Sequence, residues 1–248
     1  MSSRGRSAGG ACALAILSGV LLSGCHVPGF NTVTPADAQG ARGADLWRGA
    51  SFAALAVGCL VWALIVFTVL RYRRTRKTPP DAIPSQRAEI TWLEILYTAT
   101  PLVIVATLFV FTTSAQRQMN AVSSHPDLKV SATAFQWGWQ FTYPGGGSVV
   151  TSDSGPPTLV LPLGKVVQID LTATDVVHAF YVPAFLFQRN AVPGSPTTFD
   201  VTPTRLGTYD GKCTTFCGIR HYLMTFTVRV VSPDDFRQWM AALPPPGS

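Results

Sequence analysis

The chain has 248 residues, 47% of them hydrophobic, and a formal net charge of +6. A sizeable core is affordable at that length, but the apolar residues are unevenly spread: the first 111 residues hold three long apolar stretches, and the remainder reads as one small domain. The charge does not mark a nucleic-acid binder, because Arg71, Arg73, Arg74, Arg76 and Lys77 cluster directly after an apolar stretch, while residues 112–248 carry nine Lys/Arg against eight Asp/Glu.

Residues 1–24 join Arg4 and Arg6 to an apolar run from Ala11 to Leu22, the layout of a secretory signal too short to span a membrane. The run ends in Leu22-Ser23-Gly24-Cys25, which resembles a bacterial lipobox. Cys25 is therefore the expected lipidation site; an ordinary signal peptide that contains a cysteine is the plainer alternative. Residues 25–48, with Pro28, Pro35 and several Gly and Ala, read as an extended tether.

A two-span transmembrane hairpin is expected over residues 49–111. The run from Ser51 to Leu70 has no charged residue, and as a helix it covers about 30 Å, the thickness of a hydrocarbon core. The basic cluster at 71–77 marks the cytoplasmic flank. A second span from Trp92 to Phe111 returns the chain to the outer side, with Glu94 as its only charged residue and Pro101 as an expected bend. Glu94 is either a functional intramembrane carboxylate or a side chain snorkelling to the interface.

After a linker at 112–126, residues 127–241 read as an all-β domain on the outer side of the membrane. Asp127–Tyr143 alternates and stops at Pro144-Gly-Gly-Gly147; Thr158–Leu161, Lys165–Thr172, Thr197–Val201 and Met224–Val231 follow as strands. That rhythm predicts a sandwich or barrel. Ser232 and the two acidic residues after Pro233 predict a short capped helix before the tail at 242–248.

One constellation carries chemistry: Cys213, Cys217, His221 and Met224, with His178 upstream in Thr174-Asp-Val-Val-His178. Two thiols, two imidazoles and a thioether are soft donors that suit copper. A mononuclear blue-copper site needs one thiolate, so the second cysteine favours two bridged copper ions. A Cys2His2 zinc site, in which Met224 is merely core, and a Cys213–Cys217 disulfide stay open on the residues alone.

The cluster, the two spans and the β domain together resemble subunit 2 of the haem–copper cytochrome c oxidases. The motif Cys-x-x-x-Cys-Gly-x-x-His-x-x-Met is present in full, with Asp175-Val-Val-His178, Tyr181-Val-Pro183 and Ala191-Val-Pro-Gly194. The lipobox and Phe185-Leu-Phe-Gln-Arg189 are most similar to actinobacterial members. The resemblance implies a cupredoxin-like domain carrying a dinuclear Cu(A) centre. Cys213 and Cys217 would bridge the coppers, His178 and Met224 would complete one, and His221 with the backbone carbonyl of Thr215 the other. It implies electron arrival at Trp137, within the aromatic patch Gln136-Trp-Gly-Trp139, and places Glu94 at the mouth of a proton pathway into subunit 1.

The implied function is that of the electron-accepting subunit of a proton-pumping oxidase. It takes electrons from cytochrome c and passes them to haem in subunit 1, where oxygen is reduced to water. The haem belongs to that partner, since this chain has no Cys-x-x-Cys-His motif. Implied partners are subunit 1, the other oxidase subunits and membrane lipids, with no nucleic acid. Thr215 stands where the family has Glu, so its Mg/Mn interface site is in doubt, and Asn190 replaces the usual Asp. Gly138 and the near-neutral domain imply a donor held in place, either a membrane-bound cytochrome c or part of a cytochrome bc complex. The alternatives are the Cu(A) subunit of a nitric-oxide reductase and a membrane-anchored copper carrier or assembly protein.

Overall fold

The computed structural model describes residues 32–74, 79, 83, 89–152 and 155–243. The signal segment, Cys25, the first part of the tether, most of the loop between the spans and the tail from 244 lie outside the described residues.

Helix α1 runs over Ala38–Tyr72 and helix α2 over Thr91–Met119. Both are long and apolar enough to cross a membrane, and no residue of α2 is buried within this chain. Their bounds differ from the expected ones at the outer end. Residues 38–48 are the first turns of α1, not tether: the Asp37 carboxylate accepts from Gln39 N at 2.9 Å and Gly40 N at 3.0 Å, and that cap starts the helix early. Residues 112–119 likewise continue α2 in place of a linker, because Ser114-Ala-Gln-Arg-Gln-Met119 is polar but rich in good helix formers. At 35 residues α1 is about 52 Å long. It therefore projects well beyond the hydrocarbon core on the side of the β domain. Pro101 lies within α2, which continues past it.

The β domain is a cupredoxin-like sandwich of two five-stranded sheets. Ten strands build it: β1 (Leu128–Phe135), β2 (Gly138–Thr142), β3 (Ser148–Val150), β4 (Thr158–Pro162), β5 (Val167–Ala173), β6 (His178–Val182), β7 (Phe187–Ala191), β8 (Thr197–Val201), β9 (Gly207–Cys213) and β10 (Thr225–Val231). One sheet has the order β3-β2-β1-β5-β8 and the other β4-β10-β9-β6-β7. Each mixes one parallel pair, β1 with β5 or β4 with β10, into otherwise antiparallel neighbours.

The alternating run 127–143 proves to be a hairpin, not one strand. Phe135 pairs with Gly138, and the turn at Gln136–Trp137 reverses the chain, shifting the inward-facing residues from even positions (Val130, Ala132, Ala134) to odd ones (Trp139, Phe141, Tyr143). The core between the sheets is aromatic. Trp139 of β2 lies 5.9 Å from Phe180 of β6 and 5.2 Å from Phe226 of β10, ring centre to ring centre. Phe180 and Phe226 are stacked at 4.8 Å. Each such ring contributes about 1.5–3 kcal/mol by leaving water.

Helix α3 (Pro233–Ala241) closes the domain, with Ser232 Oγ accepting from Asp235 N at 3.1 Å. Its Trp239 packs edge-on against Tyr143 at 4.8 Å.

The segment leading into α1 is part of the domain's fabric. Ala36 N donates to Ala184 O at 2.7 Å, Thr204 N to Ala36 O at 2.9 Å, and Thr202 N to the Asp37 carboxylate at 2.6 Å. At the other helix, Arg189 donates to the Asn120 side chain at 2.6 Å. Arg42 of α1 donates to the Gln118 carbonyl at 3.1 Å, joining the two helices at this end.

Candidate metal centre

Strand register brings the distant donors together. Cys213 ends β9, and Phe180 of β6 lies opposite it. His178, two residues before Phe180, shares that face and so meets Cys213 diagonally. Met224 precedes β10, and its carbonyl accepts from Cys213 N at 2.9 Å, extending the β9–β10 ladder by one step. The loop 214–223 then carries Cys217 and His221 out and back. Gly218 takes a φ of +118°, and a Cβ there would lie 3.1 Å from the Trp137 indole nitrogen and the Gln136 side chain.

The donors form a compact group. The two cysteine sulfurs are 4.0 Å apart and both thiols are free. That gap is about twice a disulfide bond, so the disulfide alternative is not the arrangement found here. His178 Nδ1 lies 3.1 Å from Met224 Sδ and 4.0 Å from Cys213 Sγ. His221 Nδ1 is 3.4 Å from Cys217 Sγ, and Met224 Sδ is 3.7 Å from the same sulfur. The Thr215 carbonyl oxygen is 3.2 Å from Cys213 Sγ. The ligand atoms of His178, Cys213 and Cys217 all lie within 4.8 Å of one another. His221 reaches the set through Cys217 and is partly exposed, whereas His178, Cys213, Cys217 and Met224 are buried.

Electrostatics follow from that burial. Burial, reinforced by the neighbouring Cys213, pushes the Cys217 thiol up to about 12. Without metal Cys217 is therefore neutral at ordinary pH, and a bound cation must displace its proton. Burial would also raise the Asp175 carboxyl, but hydrogen bonds from His178, Val176 and Gln136 outweigh it and hold Asp175 below its usual range.

The other expected residues fall in three places. Trp137 is half-buried beside the centre, its indole N–H donating to the Cys217 carbonyl at 3.1 Å, with the Arg220 guanidinium 6.0 Å from its ring. Trp139 corrects the aromatic-patch expectation: it is fully buried in the core, because β2 alternation turns it inward. Glu94 is exposed in the first turn of α2, about 38 Å along that helix from its domain end. The structure does not bring it to the metal centre. The Thr215 hydroxyl lies 3.5 Å from the Asn190 side-chain oxygen, hydroxyl facing amide.

Asp175 and Gln136 were not picked out by their chemistry in the sequence. Asp175 accepts from His178 Nε2 at 2.8 Å, and the Gln136 side chain donates to the Cys217 carbonyl at 2.7 Å. The signal for Asp175 was its place three residues before His178, a candidate ligand. Nothing local marked Gln136.

Known proteins share this arrangement of sequence. The family described as "Cytochrome C oxidase subunit II, periplasmic domain" matches residues 154–231. The chain is 34% identical over 275 residues to the "Probable cytochrome c oxidase subunit 2" of Streptomyces avermitilis, covering 92% of this chain and 85% of that protein. It is 30% identical over 255 residues to the "Cytochrome c oxidase subunit 2" of Mycobacterium tuberculosis, covering 79% and 70%. The crystal structure of the periplasmic domain of subunit II of cytochrome oxidase of Bradyrhizobium japonicum is 28% identical. It covers 49% of this chain and 96% of that chain, with a TM-score of 0.46.

Proposed function

Because the chain belongs to the cytochrome c oxidase subunit 2 family, we propose that it accepts electrons from a cytochrome c at a dinuclear copper centre and delivers them to haem in subunit 1. Within that family it is an electron-transfer subunit of a multi-subunit oxidoreductase and not itself the catalytic one.

The observation that carries the two-copper reading is the donor count around two unbonded sulfurs 4.0 Å apart. Six donors converge there: two thiols, two imidazoles, a thioether and a carbonyl. A closed zinc site uses four donors and a blue-copper site one thiolate. With Cys213 and Cys217 shared between two coppers, the other four donors would divide into two pairs, His178 with Met224 and His221 with the Thr215 carbonyl. Copper held this way supplies a one-electron couple with its charge spread over both ions.

The residues do the rest. The strand ends of β6, β9 and β10 fix His178, Cys213 and Met224, so the donors need little reorganisation when the charge changes. The buried thiols and thioether keep water off one side. Trp137, hydrogen-bonded to the Cys217 carbonyl, offers a short bonded path from the surface to a ligand. Glu94, on the opposite side of the membrane, is assigned to the mouth of a proton pathway, and Cys25 to a lipid anchor. Thr215 and Asn190 supply no carboxylate for a Mg/Mn site. The donor is a cytochrome c already held at the membrane, alone or within a cytochrome bc complex.

The deciding experiment loads the full chain with copper in detergent and measures metal content and EPR together. Two coppers per chain, with hyperfine structure from one electron shared over both, is the expected result. One copper, or retention of zinc in preference to copper, overturns the reading.

A further inference from the structure

Asp175 lies in the short connection between β5 and β6, and its two carboxylate oxygens face different parts of the molecule. Oδ1 accepts from His178 Nε2 at 2.8 Å and from Val176 N at 2.6 Å. Oδ2 accepts from Gln136 N, in the β1–β2 turn, at 2.6 Å. That turn is itself bonded to the cysteine loop, since the Gln136 and Trp137 side chains both donate to the Cys217 carbonyl, at 2.7 and 3.1 Å. The hydrogen bonds therefore form one continuous chain: His178 to Asp175, Asp175 to the Gln136–Trp137 turn, and the turn to Cys217.

Building on the proposed copper function, we propose that Asp175 is a positioning residue that sets His178 as a ligand with one oxygen and seats Trp137 for electron arrival with the other. The first task follows from imidazole chemistry. A neutral histidine carries one N–H, and an acceptor on Nε2 leaves the Nδ1 lone pair free toward the sulfur cluster. A carboxylate on the far nitrogen also raises the ligand's basicity, which favours the oxidised metal. The second task follows from geometry. Trp137 is held at Cys217 by one indole hydrogen bond, and the backbone of its turn is anchored from behind by Asp175.

Only a carboxylate serves both tasks, since each oxygen must accept from a different donor. An asparagine side chain has one such oxygen, and its NH2 would meet either His178 Nε2–H or Gln136 N–H head-on. Asp175→Asn thus removes the charge and must release one of the two tethers. Gln136→Ala is the complementary change: it cuts the side-chain bond to the Cys217 carbonyl and leaves the His178–Asp175 pair in place.

The test uses the full chain throughout. Histidine-selective 15N NMR of the metal-free wild type is expected to show His178 protonated on Nε2, with that preference lost in Asp175→Asn. In the copper-loaded chain, Asp175→Asn is expected to raise the reduction potential. Electron uptake from reduced cytochrome c is expected to fall by roughly 10- to 100-fold. Gln136→Ala is expected to slow uptake while leaving the potential in place. The proposal is overturned if wild-type His178 carries its proton on Nδ1, or if Asp175→Asn changes neither potential nor uptake. Should Asp175→Asn fail to retain copper, the metal-free NMR comparison decides alone. A wild type that binds one copper or prefers zinc would sink the copper reading instead, and the NMR result would stand apart from it.

Discussion

Thr215 enters the proposed centre through its carbonyl, 3.2 Å from Cys213 Sγ, while its hydroxyl turns to Asn190. Thr215→Ala should therefore leave the shared-electron EPR signal nearly intact, whereas Cys217→Ser should abolish it by removing a bridging sulfur. Loss of the signal in Thr215→Ala would show that the side chain matters to the metal. Cys217 also predicts a pH dependence. With its thiol pushed up to about 12, the proton is present in the metal-free protein across the neutral range and leaves on binding. Apparent copper affinity should rise about tenfold per pH unit for that proton, measurable by competition with a chelator of known pH behaviour. A flat profile between pH 6 and 8 would contradict it. Gly138 has a steric reason to be glycine: a Cβ there would sit 2.7 Å from Thr151 and 2.8 Å from the Phe135 ring, and Thr151 is pinned by Trp139 N at 2.9 Å. Gly138→Ala should cost about 1–3 kcal/mol in a denaturation experiment on the β domain's signal.

At the level of elements, the cap of α1 is the most consequential local device. Asp37 is fully buried, and burial pushes its carboxyl up to about 6 against the pull of hydrogen bonds from Gly40, Thr202 and Gln39. An ordinary aspartate ionises near 3.8, so between these values the folded chain holds a proton that the unfolded chain has lost. This contribution to stability is greatest below about pH 4, declines as pH rises to about 6, and is level above; the total change is about 3 kcal/mol. Thermal unfolding followed from pH 4 to 7 should show that slope in the wild type and not in Asp37→Asn. Equal slopes would remove Asp37 from the account.

The elements also show what the sequence could and could not reveal. The convergence of donors was legible because Cys213, Cys217, His221 and Met224 fall within one short stretch, and soft donors so spaced have few other uses. The two spans were legible because uninterrupted apolar runs have one good explanation. Asp37 was not, since its partner Thr202 lies 165 residues away. The turn at 136–137 was marked only by a slip of the alternation from even to odd positions after Ala134, with no Pro, Asn, Asp or Gly at its two central residues. Trp139 matched an exposed aromatic patch by position, yet alternation within β2 had already committed it to the core.

For the whole molecule, charge and apolar surface point the same way. The outer region is close to neutral, with nine basic against eight acidic residues from 112 onward. Around the centre, Phe216, Ile219, Tyr222 and Leu223 are exposed, and the cation near Trp137 is Arg220. Such a face gives little long-range steering to a soluble basic donor. Turnover of the assembled oxidase with its physiological donor should therefore change only weakly between low and high salt. A steep fall with rising ionic strength would argue for electrostatic capture from solution.

The segment at 36–38 and the residue just past α2 grip the β domain at separate places, Ala184, Thr202 and Thr204 on one side and Arg189 on the other. A body hung from one cord can swivel; one gripped at two points can only rock about the line between them. The membrane hairpin thus acts as a stand as well as an anchor. It gives the Cys213–Met224 loop, the proposed copper-binding loop, one height and one heading before any other subunit is met, so a neighbouring redox group would find the distance already set.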